Sequence, residues 1–274
     1  MGVRVRATIG LAALCVAGSV SPSQAQDIEP WPPAGVSFYG DHGVPDFSGL
    51  WLGSETEVPG EEPAPNRGPA DGSPPSFWSP SPLPWTPAYK KIVDERAAAA
   101  KEGKALGDTT ARCLPFGLPQ GLTAKVYPDE IVQTPGEVTI FRNSSLPIVI
   151  WTDGRGHPKD WKPSFNGHST GYWVGDTLFV DTIGITHLTT IDHQLNPHSD
   201  KIHLRWSIRR VAPDRLHFNI EMRDADAFTE PVGMVNIWRR MNDARWQVLD
   251  DGSCFENNRT KVDDQGNTDG FVKF

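Results

Sequence analysis

Residues 201–223 read KIHLRWSIRRVAPDRLHFNIEMR, and the alternation of apolar and polar side chains along them decides the fold class. Successive side chains of a β-strand point to opposite faces, so this pattern predicts a pair of half-buried strands on either side of a turn at 212–214. Pairing the apolar rows places Glu221 opposite Arg205 or, after a slip in register, opposite His203. The polar row is then either a solvated outer face or the lining of a wet barrel interior.

Segments with similar patterns follow one another along most of the chain. Strands are predicted at 45–52, 130–134, 138–142, 148–152, 171–174, 177–183, 201–211, 215–223, 232–241 and 245–250. Short turns rich in Gly, Pro, Asn and Asp separate most of them, which is typical of an antiparallel meander. Closure removes the edges of such a sheet. The sequence therefore predicts a mainly β fold, an antiparallel meander closed or nearly closed into a lipocalin-like barrel. The Gly-x-Trp pattern at 49–51 resembles the start of lipocalin-like barrels, in which the Trp plugs one end.

A Pro-rich segment and one helix interrupt the strands. Residues 55–86 are rich in Pro, Gly, Ser and Glu, which excludes regular structure and predicts either a mobile surface segment or a long ordered loop. Thr86 and Pro87 then provide the N-cap and the first position of a helix over 87–106. This helix is alanine-rich and charged, so we expect it outside the β core. Residues 26–274 are predicted to form a single domain.

The first 25 residues have the features of a secretory signal peptide. Arg4 and Arg6 form a short basic start, residues 7–20 are mainly apolar, and 23–25 fit a small-x-small cleavage site. The apolar stretch is too short for a spanning helix, and no later stretch reaches the ~20 apolar residues that such a helix needs. The sequence therefore predicts a periplasmic or secreted protein without a membrane span.

The mature chain is acidic. Removal of the signal peptide takes away Arg4 and Arg6 and no acidic residue, which changes the formal net charge from -8 to -10. Nucleic-acid binding would require a concentrated basic patch, and no run of Lys and Arg of that kind is present. The expected partner is a small-molecule substrate or ligand, and the oligomeric state stays open.

After signal removal the chain retains a pair of cysteines, Cys113 and Cys254. Disulfides form in oxidising compartments, so export predicts that these cysteines are bonded to each other. A loop of this length would contribute roughly 4 to 5 kcal/mol in the chain-entropy description of disulfides. The alternative is a pair of unrelated buried thiols.

Residues 151–200 contain five of the eight histidines, interspersed with aspartates. Asp153, Arg155 and His157 occupy a turn directly after a predicted strand, where polar groups can be held at the rim of a barrel. His168 introduces the next strand. Histidine titrates near neutral pH and is the commonest metal ligand, so this clustering is the main indication of chemistry in the chain.

Asp181 and His198 complete the set of candidate catalytic residues. Asp181 lies on a predicted strand among apolar neighbours, and a buried carboxylate requires a partner. We expect His168 or His157 to act as a base, with Asp181 or Asp153 orienting it, and His198 to serve as a second base or ligand. Arg155, in the same turn as Asp153, would then hold an anionic or enolic oxygen of the substrate. The alternative for His157, His168 and His198 is a purely structural role, in which each organises a loop through hydrogen bonds to backbone carbonyls.

Several short motifs resemble those of a broad group of exported bacterial proteins. They are PDFSGLW at 45–51, DGRGHP at 153–158, GHS at 167–169, WVGDTL at 173–178, VDT at 180–182 and PHS at 197–199. The resemblance covers most of the mature chain. It implies export and a β-rich fold, and it implies no catalytic role for any residue.

The motifs of common hydrolases, nucleotide-binding proteins and zinc fingers are missing. The first hypothesis is therefore an enzyme of the lyase, isomerase or hydrolase type that works without an organic cofactor on a small organic, aromatic or sugar-like substrate in an aromatic-lined barrel. A second is a non-catalytic carrier of an apolar molecule, and a third is a structural or partner-binding protein with a large exposed apolar patch. A divalent metal stays open, with candidate ligands His157, His168, His193 and His198.

Overall fold

The computed structural model describes residues 44–55, 83–104, 106–110, 113–123, 128–142 and 145–242. The strands are β1 (Gly49–Glu55), β2 (Asp129–Thr134), β3 (Glu137–Arg142), β4 (Ile148–Trp151), β5 (His168–Val174), β6 (Thr177–Ile183), β7 (His203–Ala212), β8 (Arg215–Arg223) and β9 (Val232–Arg240), and the helices are α1 (Pro87–Lys101) and α2 (Gln120–Thr123). The predicted signal peptide, residues 56–82 of the Pro-rich segment and the predicted strand at 245–250 lie outside the described residues.

The strands form a closed barrel in chain order, and β9 pairs with β1 to complete it. The predicted mainly β barrel is therefore confirmed. One pair departs from the meander: β4 and β5 run parallel, with Ile150 beside Ser169, whereas the other neighbouring pairs are antiparallel. The reason is the connection at 152–167, which is a long crossover rather than a turn, and parallel strands require such a connection.

The structure decides between the two predicted registers of β7 and β8, and it shows on which face of the barrel their polar row lies. Arg205 lies opposite Glu221, the first of the predicted registers. The apolar row faces inward, where the rings of Phe218 and Trp238 stack with their centroids 4.1 Å apart and the ring of Trp206 is nearly parallel to Phe218, with centroids 6.3 Å apart. The polar row therefore lies on the outer face, and the barrel interior is a packed core of buried side chains.

Trp51 lies near one end of this core and is fully buried. Its indole Nε1 donates a hydrogen bond of 2.8 Å to the carbonyl oxygen of Phe47. The Phe47 ring in turn contacts Trp173, with centroids 5.1 Å apart. The Gly-x-Trp segment thus contributes an aromatic cluster to this end of the barrel.

The opposite end is closed by the segment 114–123, which ends in the short helix α2. Leu118 and Leu122 are fully buried, and Asn236 donates a hydrogen bond of 2.6 Å to the Leu122 carbonyl. The guanidinium of Arg142 lies directly against Gly121, at a place that a Cβ atom would occupy. This contact requires glycine and lets a buried arginine fit beneath the segment.

Helix α1 lies outside the barrel, as predicted, and none of its residues is buried. Thr86 caps its first turn, with Oγ1 accepting from the backbone N–H of Tyr89. The helix ends at Lys101 rather than at 106, because Gly103 takes a φ of 74° and Lys104 N–H donates to the Ala99 carbonyl. In the described parts of the chain, no helix has both the length and the apolar character needed to cross a membrane.

Candidate functional site

The connection 152–167 carries His157 over the outer face of the barrel. Because β4 and β5 run in the same direction, the chain must turn back between them, and the filled interior leaves only the outside for this path. The far part of the connection is anchored by Ser164, whose N–H donates 2.9 Å to Gly184, and by Phe165, whose carbonyl accepts from Leu118 at 2.8 Å. The parallel pair therefore determines where the first histidine lies.

Asp181 is the centre of the polar cluster beneath this connection. One of its oxygens, Oδ2, lies 3.0 Å from His157 Nε2. The other, Oδ1, lies 2.6 Å from His203 Nε2 and accepts from Arg205 Nε at 3.3 Å. Burial alone raises the pKa of Asp181, but the hydrogen bonds from His157 and His203 outweigh it and lower that pKa to about 2. Asp181 is therefore an ionised carboxylate that is only 2% exposed.

His168 extends the chain of contacts away from Asp181. Its Nδ1 lies 2.8 Å from Nδ1 of His157. The edge of Trp161 covers its ring, with centroids 4.8 Å apart. Burial lowers the pKa of His168, and repulsion from His157, when that ring is protonated, and from Arg155 lowers it further. His168 is therefore favoured in its neutral form.

The positions of the imidazole hydrogens follow from the acceptors. An ionised carboxylate only accepts, so the nitrogen of His157 that faces Asp181, Nε2, carries hydrogen. In neutral His157 the other nitrogen, Nδ1, then has a lone pair and accepts from Nδ1–H of His168. Neutral His168 consequently has its own lone pair on Nε2, outside the hydrogen-bonded chain. The chain of donors runs from His168 through His157 to Asp181.

Asp153 and Arg155 are not part of this chain of hydrogen bonds. They bind each other in a bidentate ion pair, in which Arg155 Nε donates to both carboxylate oxygens at 2.9 Å. This hydrogen bonding is the main reason that the pKa of Asp153 is lowered. The Arg155 guanidinium also lies 3.7 Å from the ring centre of Trp151, and its side chain is 48% exposed. Of the carboxylates considered for orienting a histidine, the structure brings only Asp181 to His157.

His198 lies elsewhere and is fully buried. Its Nδ1 is 2.9 Å from the Ser199 carbonyl and its Nε2 is 2.8 Å from Thr189 Oγ1. Burial lowers the pKa of His198 to about 4, against smaller opposing effects of the Ser199 carbonyl and of Asp224. These contacts hold the loop 184–202 together, which matches the loop-organising alternative and separates His198 from the His157 cluster.

His193 is also separate, since its Nδ1 lies 3.0 Å from Gln120 Nε2. The predicted metal ligands His157, His168, His193 and His198 are therefore not gathered in one place. Over the described residues, no group of three or more His, Cys, Asp and Glu side chains has an arrangement suited to a metal ion. Cys254 lies outside those residues, so the disulfide with Cys113 stays a prediction.

His203 and Arg205 were not predicted as site residues. The sequence placed them on the polar row of β7, and it placed Asp181 on β6, but it did not give the register between these strands. The observed register sets Arg205 beside Asp181, and His203, two residues before Arg205 on the same face of β7, reaches Asp181 Oδ1 with its Nε2 at 2.6 Å. Nineteen residues, 184–202, separate the strands, so no turn type fixes this register.

Comparison with known proteins adds no further assignment. No protein-family model, no curated protein and no solved structure matches this chain.

Proposed function

We propose that this chain is an exported enzyme that uses His168 as a general base, assisted by His157 and Asp181, on a small organic substrate and without an organic cofactor. The observation that carries the proposal is the directed chain of hydrogen bonds from His168 through His157 to the ionised Asp181. A loop-organising histidine typically bonds to backbone carbonyls, as His198 does. His157 and His168 instead bond to each other and to a buried carboxylate.

The chemistry follows from the proton positions. The lone pair of His168 Nε2 accepts a proton from the substrate, and His168 becomes an imidazolium that still donates through Nδ1 to His157. Asp181 stabilises the positive charge through His157, and it keeps His157 in the tautomer that can accept from His168. The lowered pKa of His168 keeps the base neutral near neutral pH before the reaction.

A base that takes up one proton and later releases it is compatible with three reaction types. In an isomerase, His168 returns its proton to a different atom of the same molecule; in a lyase, it gives the proton to the leaving group. In a hydrolase, it removes a proton from water. Arg205 bonds to Asp181 on the other side, and the charge of Arg155 lowers the pKa of His168, so either guanidinium can stabilise negative charge that develops on the substrate.

The test measures turnover of a panel of small lyase, isomerase and ester substrates by the mature protein. His168→Asn replaces the base but keeps a side-chain N–H that can donate to His157. We expect it to lower kcat/KM by about 100-fold to 10,000-fold with an unchanged melting temperature. His187→Asn is the matched control, because His187 is exposed and pairs with Asp200 away from the cluster.

Full activity in His168→Asn would contradict the proposal. Tight binding of panel molecules without turnover would favour the carrier alternative. Activity that disappears with a chelator and returns with a divalent ion, and that still depends on His168, would favour the metal-dependent alternative, in which His168 Nε2 is a ligand rather than a base.

Export and the disulfide belong to the same proposal. The basic start, apolar stretch and small-x-small site support cleavage after Ala25, and the loss of Cys15 leaves Cys113 and Cys254 as partners. Expression with the signal in a bacterial host should yield a periplasmic protein that starts at Gln26. Peptide mapping without reductant should recover a peptide pair that contains both cysteines. Free thiols at both positions would contradict the disulfide.

A further inference from the structure

His203 bonds to the oxygen of Asp181 that His157 does not use. Its Nε2 lies 2.6 Å from Asp181 Oδ1, whereas His157 Nε2 lies 3.0 Å from Oδ2. Because the ionised carboxylate only accepts, Nε2 of His203 carries hydrogen and donates it. Asp181 therefore lies between two imidazole donors, one on each oxygen, and only His157 belongs to the proton chain described above.

The loop 184–202 determines the position of His203, which is the first residue of β7. The preceding residue, Ile202, is buried, and its N–H donates 3.2 Å to the Ser199 carbonyl. Ser199 is bound in turn to Asp224, through its N–H at 2.6 Å and its hydroxyl at 2.8 Å. The imidazole of His203, itself only 7% exposed, thus extends from a fixed backbone and has little freedom to move.

Arg205 also donates to Oδ1 of Asp181, and its contact is the weaker of the two. Its Nε lies 3.3 Å from Oδ1, against 2.6 Å for His203. Short hydrogen bonds to an ionised acceptor are stronger than long ones. The side chain of Arg205 is 19% exposed, so water competes for its contact. His203 is therefore the main group that holds Oδ1 in place.

The orientation of Asp181 decides whether the proton chain forms. The torsion that turns an aspartate carboxylate has a broad energy profile, so a carboxylate held at one oxygen only can rotate. Rotation would take Oδ2 away from His157, which would lose the acceptor that keeps hydrogen on its Nε2. The lone pair on His157 Nδ1, which accepts from His168, would be lost with it. A strong donor on Oδ1 prevents this rotation.

We propose that His203 is a positioning residue of the acid–base site, which donates to Oδ1 of Asp181 and thereby keeps Oδ2 directed at His157. It acts on His168 through Asp181 and His157. The effect on turnover rests on the proposed function, whereas the effect on the tautomer of His157 requires no reaction. The loop 184–202, which contains no member of the proton chain, contributes to the site because it holds His203.

The test compares two amide substitutions in the mature protein that differ by one methylene group. The amide nitrogen of Gln overlays Nε2 of histidine, so His203→Gln keeps a donor within reach of Asp181. The amide nitrogen of Asn overlays Nδ1 instead, so His203→Asn does not. His187→Gln and His187→Asn are the matched controls, because His187 is exposed and pairs with Asp200 away from the cluster. Melting temperatures establish which variants are folded.

Two measurements report on the site. Two-bond ¹⁵N–¹H spectra at about pH 8 show the tautomer of His157. Values of kcat and KM are measured on a substrate that the panel identifies. A third variant, Arg205→Met, removes the longer contact to Asp181 and separates its effect from that of His203.

We expect His203→Asn to show a mixture of both tautomers at His157, and every other variant to keep the Nε2–H tautomer. In His203→Asn, kcat should fall by about 10-fold to 100-fold while KM changes by less than about threefold. In His203→Gln, kcat should stay within about threefold of the wild type.

The Nε2–H tautomer of His157 in a folded His203→Asn, or equal kcat in His203→Asn and His203→Gln, would overturn the proposal. A mixture of tautomers in Arg205→Met would do the same, because it would assign the positioning role to Arg205. Full activity of His168→Asn together with a tautomer change in His203→Asn would refute the proposed base and support the role of His203.

Discussion

Nδ1 of His157 lies 2.8 Å from Nδ1 of His168, and only one of these nitrogens can carry the shared hydrogen. Asp181 fixes the choice by requiring hydrogen on Nε2 of His157. At about pH 8, two-bond ¹⁵N–¹H spectra should therefore show His157 as the Nε2–H tautomer and His168 as the Nδ1–H tautomer. In Asp181→Asn, whose amide can donate or accept, we expect this preference to weaken in His157. Nε2–H in both rings of the wild type would be incompatible with the proposed proton chain.

Asp181 should make the free energy of unfolding decrease in acid. Its folded pKa of about 2 is below the ordinary value of 3.8, so its contribution is complete above about pH 4 and is lost as the pH falls towards 2. The shift corresponds to about 2 kcal/mol. Urea unfolding of Asp181→Asn should show a loss of about this size at pH 7 and little loss at pH 2. The matched Asp176→Asn, at an exposed ion pair with Arg209, should change stability by less than about 0.5 kcal/mol; equal effects of both substitutions would contradict the assignment.

His198 should affect stability in a different pH window. Its folded pKa of about 4 is below the ordinary 6.5, so the neutral form is favoured by folding. Stability from this group is complete above about pH 6.5 and is lost as the pH falls towards 4, by on the order of 3 kcal/mol. His198→Asn keeps a donor for the Ser199 carbonyl but cannot gain a proton. The stability difference between the wild type and this variant should therefore shrink from pH 7 to pH 4, whereas a constant difference would show that His198 does not titrate in this range.

Gly121→Ala should destabilise the barrel. The new Cβ would collide with the Arg142 guanidinium, whose side chain is only 2% exposed and has little room to move. Overpacking of this kind costs about 1 to 2 kcal/mol, measurable by urea unfolding. Gly233→Ala is the matched control, since the added methyl group meets nothing within 4 Å. If both variants are as stable as the wild type, the close contact between Gly121 and Arg142 is not maintained in solution.

Strands β7 and β8 were predictable because the alternation of apolar and polar residues along them is strong. The alternation on β7 and β8 predicted both strands and limited their pairing to two registers, because a short turn joins them; the structure has the register that places Arg205 opposite Glu221. The sequence also indicated that Asp181 would require a partner if it were buried, and in the structure it is buried and bonded to His157 and His203. These features depend on residues that are close in sequence.

The parallel pair and the partners of Asp181 were not predictable in the same way. Strands were predicted at 148–152 and 171–174, but no local signal states whether these strands run in the same direction. Likewise, no turn fixes the position of His203 relative to Asp181. The direction of β5 relative to β4 and the register of β7 relative to β6 both depend on the paths of long connections. Those paths are determined by packing over the whole barrel.

The crossover at 152–167 is close to the shortest length that can join its two strands. Sixteen residues join β4 to β5, and a parallel pair needs about a dozen or more, so only a few residues can be deleted before the pair must separate. Insertions have no such limit, because longer loops cost little in closure entropy. Variants can therefore lengthen this connection around His157. Shortening it to a hairpin would break the parallel pairing of β4 with β5 and would remove His157 from its place beside Asp181.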